Sequence, residues 1–326
     1  MDKYLKKIKQ LEKLIGNTPI VKIKAEYKGK KKTIFTKLEW YNFSGSIKDR
    51  VALEILKDSY ISGNLKPNQE IVEVTSGNTG ISFACLGAYL GHKVTIIMPD
   101  WLSKERQHLL KMYGANLKLV SRNDGGFNQC FKILDTYKDA FKPMQFENRF
   151  NTLAHFKTTG KEIVTSLKKI KAKPKAFVSG VGTAGTLMGV GLALKKEYED
   201  INCYAVEPAS SPTLKLGYKV GKHIIEGISD DFIPAIYDKK FVKDIIDADN
   251  YESVYMAQKL SRELGLGVGI SSGANFISAL KLEESSVVTT FADDNKKYVS
   301  TSLSNVSNVI EKLDKNIKLL GFETLN

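Results

Sequence analysis

A strand that runs directly into a glycine-containing turn and then into a helix occurs twice in this 326-residue chain. The run at 70–74 leads into Thr75–Gly80, and the run at 176–179 leads into Gly180–Leu187. Further strand and helix patterns alternate between and after them, and parallel strands joined by helices need right-handed crossovers. The order therefore predicts an α/β fold with mostly parallel, doubly wound sheet. The length allows either two domains or one large α/β domain.

Both turns have the features of an anion-binding site. Free backbone N–H groups at a helix N-terminus face the ligand there, and the helix dipole favours negative charge. Thr75–Gly80 adds hydroxyl and amide side chains, which suit a carboxylate as well as a phosphate. Gly180–Leu187 is richer in glycine and suits a phosphate. It has neither the Lys-Ser/Thr of a P-loop nor the dinucleotide fingerprint.

One lysine, Lys48, stands just ahead of another helical pattern. Small residues precede it at 44–46 and apolar residues with helical spacing follow it, which predicts a loop feeding a helix. The positive end of the helix dipole disfavours a charged amine and so favours the neutral, nucleophilic form. Alone, such a lysine is more often a solvated residue of the first turn. Together with the two anion-binding turns, it indicates Schiff-base chemistry.

The composition argues against several other classes of protein. The formal net charge of +13 is compatible with nucleic-acid binding, but the lysines are spread along the chain without a nucleic-acid-binding motif. No apolar stretch reaches the length of a membrane span, and the charged N-terminus lacks a signal-peptide core. Cys85, Cys130 and Cys203 have no metal-ligand spacing. We therefore expect a cytoplasmic protein with no metal, nucleic-acid partner or membrane partner.

The order of these motifs resembles the cysteine synthase family, which belongs to the β-family (fold type II) of pyridoxal-phosphate enzymes. The resemblance covers nearly the whole chain. It rests on Gly16–Pro19, Lys37–Glu39, Ser46–Arg50, Thr75–Gly80, Met98–Pro99, Ser103–Arg106, Gly114–Ala115, Thr158–Gly160, Gly182–Thr186 and Ser271–Gly273.

The resemblance implies two three-layer αβα domains with twisted, mostly parallel sheets and pyridoxal 5'-phosphate in the cleft between them. Residues 12–38 and 148–326 would form the larger domain, which binds the phosphate. Residues 39–147 would form a smaller, mobile domain that carries Lys48 and the carboxylate-binding turn. The resemblance also implies a homodimer that acts on a small amino acid.

The same resemblance implies roles for individual residues. Lys48 would hold the cofactor as a Schiff base and later move the substrate Cα proton. A neutral hydroxyl at Ser271 would hydrogen-bond the pyridine nitrogen, which suits elimination better than transamination. Asn78 would also lie near the cofactor's phenolic oxygen, and Gly227 would line the substrate entrance. The substrate carboxylate would contact Thr75, Ser76, Gly77, Asn78, Thr79 and Gln145, and the cofactor phosphate would contact Gly182, Thr183, Ala184, Gly185 and Thr186.

The most consequential departure from the family pattern is the pair Asp230–Asp231. The family usually has small residues between the Gly-Ile at 227–228 and the Phe-Ile-Pro at 232–234. A solvated acidic turn is one interpretation. The other is that Asp231, with Asp230 as second candidate, accepts a proton from water and delivers hydroxide to the β-carbon. A carboxylate there would also repel an incoming sulfide anion.

We therefore predict a pyridoxal-phosphate-dependent enzyme that eliminates and replaces the β-substituent of a small L-amino acid through an α-aminoacrylate. The aspartates favour the sulfide-releasing direction, in which L-cysteine and water give L-serine and H₂S. One alternative is a cysteine synthase that makes L-cysteine from O-acetyl-L-serine and sulfide. A more distant alternative is a cofactor-binding regulator without turnover.

Overall fold

The computed structural model of the protein describes residues 2–218, 220–305 and 311–325. The strands are β1 Ile20–Tyr27, β2 Lys30–Leu38, β3 Ile71–Val74, β4 Val94–Pro99, β5 Asn116–Val120, β6 Ala176–Gly180, β7 Asn202–Pro208, β8 Asp244–Ala248, β9 Ser286–Phe291 and β10 Ile317–Thr324. The helices are α1 Asp2–Leu11, α2 Lys48–Ser62, α3 Asn78–Leu90, α4 Lys104–Met112, α5 Gly126–Thr136, α6 Arg149–His155, α7 Lys161–Lys169, α8 Gly185–Glu197, α9 Thr213–Leu216, α10 Asn250–Leu264, α11 Ile270–Lys281 and α12 Glu311–Asp314. A π-helical turn, Phe156–Gly160, joins α6 to α7, and short 3₁₀ turns span Glu39–Tyr41, Lys239–Phe241 and Asn295–Tyr298.

The smaller sheet has the order β3-β4-β5 and is parallel throughout. Its central strand β4 is buried on both faces, as expected for a parallel strand covered by helices on both sides. Ile96 and Met98 face a core shared with α1, α2, α3 and α4, whereas Ile97 faces a core shared with α5. Helices on both faces make this a three-layer αβα unit, and its strands lie within residues 71–120.

The larger sheet has the order β10-β1-β2-β9-β6-β7-β8. Within this sheet, the neighbouring strands β2, β9, β6, β7 and β8 pair in parallel. Strand β1 pairs antiparallel with both β2 and β10. Helices α10 and α11 cover one face, and α7 and α8 cover the other. The predicted α/β class with mostly parallel three-layer units is confirmed. Strand β10 was not predicted, and the bounds of the two domains stay a prediction.

A buried ionic network ties α2 to both parts of the fold. Arg50, two residues after Lys48, contacts Glu39 (Nε to Oε2, 2.6 Å) and Glu162 of α7 (Nη1 to Oε1, 2.7 Å). Lys37 of β2 contacts the other oxygen of Glu162 (2.7 Å). The side chains of Arg50 and Glu39 are almost fully buried. The network therefore fixes the helix that begins at Lys48.

Replacing Arg50 by methionine is expected to cost about 3–5 kcal/mol of unfolding free energy, because the buried carboxylate of Glu39 loses its counter-charge. Lys57 provides the matched control on the same helix, since its ion pair with Glu12 (2.7 Å) is exposed. Lys57→Met should cost no more than about 1 kcal/mol. Urea unfolding followed by circular dichroism compares the two variants, and equal losses would contradict a stabilising role for the Arg50 network.

Candidate active site

The segment ahead of Lys48 is held in place on two sides. Lys48 is the first residue of α2. The carboxylate of Asp49 accepts hydrogen bonds from the backbone N–H of Ser44 (2.6 Å) and from the Ser44 hydroxyl. The ammonium group of Lys297, from the other part of the fold, donates to the carbonyl of Gly45 (2.7 Å). The lysine is therefore presented at a helix N-terminus, as predicted, by a loop with little freedom to move.

Burial gives Lys48 an unusual protonation equilibrium. It lowers the pKa of Lys48 to about 8, and the negative charge of Asp230 opposes this shift. Burial also pushes the pKa of His155 well below its ordinary range, and the charges of Lys48 and Arg50 act in the same direction. The imidazole is therefore neutral, and a usable fraction of the Lys48 amine is neutral near pH 7–8.

The turn after β3 is closely tied to Gln145. The hydroxyl of Thr79 donates to Gln145 Oε1 (2.6 Å), and Gln145 Nε2 donates to the carbonyl of Val74 (3.0 Å). Within the turn, the hydroxyl of Thr75 accepts from the N–H of Gly77 (3.0 Å). The structure thus brings together residues that lie about 70 positions apart and that were predicted to share a carboxylate site.

The turn after β6 leaves no room for side chains at two glycines. A Cβ on Gly182 would lie 2.5 Å from the carbonyl oxygen of Gly227, and a Cβ on Gly185 would lie 1.9 Å from Asn151 Oδ1. Ala184 precedes α8 with a left-handed φ of 67°, a conformation that costs a non-glycine residue about 1 kcal/mol or more. The turn leads into the N-terminus of α8, and the N-terminus of a helix favours the binding of a phosphate.

One open cavity joins these features. Of the predicted residues, it is lined by Lys48, Ser76, Asn78, Thr79, Gln145, Gly182, Thr183, Ala184, Thr186, Gly227 and Ser271. Asp230 lines it as well. Thr75, Gly77 and Gly185 belong to the two turns but are not part of the lining.

The two aspartates occupy different positions at the mouth of the cavity. Asp230 lines both the main cavity and an adjoining one, whereas Asp231 lines only the adjoining cavity. The next residue, Phe232, packs edge-on against Phe146 (ring centroids 4.8 Å apart) and Phe131 (5.6 Å). This aromatic contact holds the loop against the part of the fold that contains Gln145. Asp230 is therefore the aspartate nearer to the predicted chemistry.

Two polar residues at the site were missed by sequence reasoning, namely Asn275, which lines the cavity, and Asp293, which contacts the cavity residue Asn78. Asn275 of α11 accepts a hydrogen bond from the N–H of Gly180 (2.7 Å) and donates to the carbonyl of Thr290 (2.9 Å). Its position inside a helix, where asparagine is unfavourable, was the available signal. Asp293 accepts from Asn78 Nδ2 (2.8 Å), although 215 residues separate them. Nothing in the spacing of residues indicates that contact.

Comparison with known proteins gives a consistent result. The pattern of the family described as "Pyridoxal-phosphate dependent enzyme" matches residues 11–293. Cysteine synthase from Staphylococcus aureus is 38% identical over 306 residues, which cover 91% of this chain and 97% of that protein. Cysteine synthase from Entamoeba histolytica is similar in structure, with a TM-score of 0.83 and 35% identity over 94% of each chain.

A hydrogen sulfide-producing enzyme from Fusobacterium nucleatum is similar at higher identity. Its structure gives a TM-score of 0.91 and 46% identity, covering 97% of each chain. An Asp-to-Asn mutant of that enzyme, in complex with an α-aminoacrylate intermediate, gives a TM-score of 0.92 and 46% identity, covering 96% of this chain and 97% of that one.

The chain belongs to the pyridoxal-phosphate dependent enzyme family, as a cysteine synthase-type member of cysteine metabolism. The predicted cofactor is confirmed by this membership, and the cavity fits it. Lys48 and Ser271 line the cavity with an amine and a hydroxyl, and the glycine turn that leads into α8 suits a phosphate. Asn78 Oδ1 is buried without a hydrogen-bond partner, which indicates that a ligand faces it.

The described residues contain neither a membrane-spanning helix nor a metal-binding cluster. Within 2–218, 220–305 and 311–325, no helix is long and apolar enough to cross a membrane. The same residues contain no group of three or more His, Cys, Asp or Glu side chains that could hold a metal ion. Cys85, Cys130 and Cys203 are buried free thiols.

Proposed function

We propose that this enzyme releases sulfide from L-cysteine and adds water to the β-carbon, so that the products are L-serine and H₂S. The observation that carries the proposal is the position of Asp230, which lines the same cavity as Lys48 and raises the pKa of its amine. The 46% identity with a hydrogen sulfide-producing enzyme supports the same direction. The crystallised Asp-to-Asn mutant of that relative supports a role for an aspartate in its reaction.

The turns at the cavity wall would bind and orient the substrate. When bound, pyridoxal phosphate withdraws electrons from the substrate Cα. We assign the substrate carboxylate to the turn Thr75–Thr79 and to Gln145, whose mutual hydrogen bonds preorganise the site. We assign the cofactor phosphate to Gly182–Thr186, and the pyridine nitrogen to Ser271. Lys48 would take the proton from Cα, since a pKa of about 8 lets it act as a base near neutral pH.

Asp230 would act once the β-carbon has lost its sulfur. The thiol group leaves as HS⁻ when its bond to the β-carbon breaks, and a water molecule donates one proton to the Asp230 carboxylate while its oxygen bonds to the β-carbon. Lys48 then returns its proton to Cα, and the proton on Asp230 passes to HS⁻. The balance is one L-cysteine and one water consumed, with one L-serine and one H₂S formed. Asp231, which lines the adjoining cavity, is the second candidate for this base.

Charge at the cavity mouth favours this direction over synthesis. Asp230 and Asp231 line the adjoining cavity together with the basic residues Arg122 and Lys222. Asp230 also lines the main cavity, whereas Arg122 and Lys222 do not. Sulfide is largely an anion at neutral pH and is repelled by carboxylates, whereas water is neutral. The second candidate function is cysteine synthesis from O-acetyl-L-serine and sulfide. The 38% identity with a cysteine synthase favours that alternative.

Isotope labelling tests the proposed chemistry. The enzyme is incubated with L-cysteine in H₂¹⁸O, and the products are analysed by mass spectrometry. The proposal predicts L-serine with one ¹⁸O in its hydroxyl group and H₂S in equal amount. Pyruvate and ammonia in place of serine would show that the site does not add water to the β-carbon.

The pH dependence of cofactor uptake tests the electrostatic contact between Asp230 and Lys48. In protein stripped of cofactor, covalent incorporation of pyridoxal phosphate should accelerate as pH rises through about 8 rather than 10.5, because the neutral amine reacts. Asp230→Asn removes the charge that raises the pKa of Lys48, so its transition should lie at lower pH. Asp231→Asn is the matched control and should keep the wild-type transition. The same transition in all three proteins would contradict the assignment of Asp230.

Three further predictions belong to this proposal, and they concern assembly, location in the cell and domain closure. The protein would form a homodimer, which light scattering would test. It would act in the cytoplasm. Residues 39–147 would close over the cavity when substrate binds, because the carboxylate turn lies in the smaller predicted domain and the phosphate turn in the larger one.

A further inference from the structure

A buried arginine lies directly beneath the proposed carboxylate turn. Arg106 of α4 is only 1% exposed. Gly77 in the turn has a φ of 147°, and a Cβ added there would lie 2.2 Å from Arg106 Cδ and 2.6 Å from Nε. The stem of Arg106 is therefore packed against the turn backbone with no space between them. Any movement of the Arg106 side chain is transmitted to the turn.

The guanidinium group donates a hydrogen bond to the hydroxyl of Ser103, just ahead of its own helix (3.1 Å), and its other partners come from the opposite part of the fold. Arg106 forms an ion pair with Glu226 and lies 3.7 Å from the carboxylate of Asp293. It also stacks on the ring of Tyr298, at 4.5 Å from the centroid. The Tyr298 hydroxyl donates to the Asp293 carboxylate (2.9 Å), which also accepts from Asn78. Arg106 is thus connected to the carboxylate turn at both Gly77 and Asn78.

Glu226 links this cluster to the loop of the two aspartates. It directly precedes Gly227 and lines the main cavity together with Asp230. Its side chain is 16% exposed, and that of Arg106 is 1% exposed. An ion pair so shielded from water is little weakened by solvent screening, and loss of one partner leaves a buried charge. Without the carboxylate of Glu226, the guanidinium would be drawn toward Asp293, beneath the turn.

We propose that Glu226 is a positioning residue that acts through Arg106 to hold the carboxylate turn in the geometry that recognises a free substrate carboxylate. The inference rests on the proposed role of Thr75–Thr79 but not on the direction of the reaction. Glu226 determines how well the enzyme distinguishes a charged α-carboxylate from a neutral one, and it does not take part in proton transfer.

The test compares L-cysteine with L-cysteine methyl ester, which lacks the carboxylate charge, as substrates of the complete enzyme. Glu226→Gln keeps the shape of the side chain and removes the charge. We expect kcat/KM for L-cysteine to fall about tenfold, mainly through a higher KM, while the value for the ester falls less than about threefold. The ratio of kcat/KM for L-cysteine to kcat/KM for the ester, which measures the preference for the free acid, is therefore expected to fall. A merely structural defect would lower both values by the same factor.

Glu105 provides the matched control, because it lies on the same helix as Arg106 and its carboxylate accepts bonds from the N–H (2.7 Å) and hydroxyl (2.6 Å) of Ser300 outside the cavity. Glu105→Gln should keep the wild-type preference. Glu226→Asp keeps the charge at shorter reach and should give an intermediate preference, which provides a second measurement if the glutamine variant folds poorly. An unchanged preference in both Glu226 variants overturns the proposal.

Sulfide release by the wild type tests the proposed function separately from the positioning role of Glu226. If the wild type releases no sulfide from L-cysteine, the sulfide-releasing reaction is wrong, and the same comparison is made with O-acetyl-L-serine and its methyl ester in the presence of sulfide. A reduced preference for the free acid in Glu226→Gln then supports the positioning role, and an unchanged preference overturns it.

Discussion

Replacing Lys48 by alanine is expected to abolish turnover. The amine is the proposed attachment point of the cofactor and the proposed base at Cα, and loss of a single general base alone costs about 10²–10⁴-fold in rate. With both roles lost, sulfide release from L-cysteine should fall by more than about 10⁴-fold. Borohydride reduction followed by mass spectrometry should find the cofactor attached at residue 48 in the wild type and not attached in the variant.

The matched control for that experiment is Lys57→Ala. Lys57 lies on the same helix as Lys48, but its ion pair with Glu12 is at the surface. Its replacement should leave the rate within about twofold of the wild type, since exposed ion pairs contribute little. A Lys48→Ala enzyme with near-normal turnover would refute the assignment of Lys48.

Replacing Asp230 by asparagine is expected to leave sulfide release intact and to slow the addition of water. Lys48 and the carboxylate turn remain, so one sulfide per active site should still be released from L-cysteine. Addition of water lacks its base, and steady-state formation of L-serine should fall about 10²–10⁴-fold. Rapid-quench measurement of sulfide, combined with steady-state measurement of serine, distinguishes this result from a general loss of activity.

Asp231→Asn is the matched control for the adjacent carboxylate, and it should change serine formation by less than about threefold. If steady-state serine formation falls in Asp231→Asn but not in Asp230→Asn, then Asp231 is the base. If both variants make serine at the wild-type rate, neither carboxylate activates water.

The elements around the site were predictable because their signals are local. Strand β5 at Asn116–Val120 and the start of α2 at Lys48 follow from residue periodicity and helix-start residues within a few positions. Strand β10 gave no such signal. It is an edge strand with mostly exposed side chains, and it pairs with β1 from the far end of the chain. Its formation depends on that partner rather than on its own pattern.

The position of Asp230 relative to Asp231 could not be predicted for a different reason. Ser229, which precedes them, adopts a left-handed φ of 57°, and its N–H donates to the carbonyl of Val181 (2.8 Å). The direction of the loop therefore depends on a contact with the phosphate turn. Serine rarely takes this conformation, so nothing in the local sequence indicated which aspartate would line the main cavity.

The burial of charged side chains could not be predicted from the sequence either. Arg106 occurs in a polar stretch, whereas Glu226 directly follows two isoleucines. Burial of both side chains is decided by the packing of segments that are distant in sequence. Charged residues are almost never fully buried unless they are paired. A sequence shows the charge but not the partner, and the partners here belong to different parts of the fold.

The central claim is that this site favours release of sulfide over its incorporation. The most direct measurement compares, at one pH and one enzyme concentration, kcat/KM for H₂S release from L-cysteine with kcat/KM for L-cysteine formation from O-acetyl-L-serine and sulfide. We expect release to be faster by about tenfold or more, which corresponds to about 1.4 kcal/mol between the two barriers. Faster formation of L-cysteine would show that the proposed direction is wrong and identify the enzyme as a cysteine synthase.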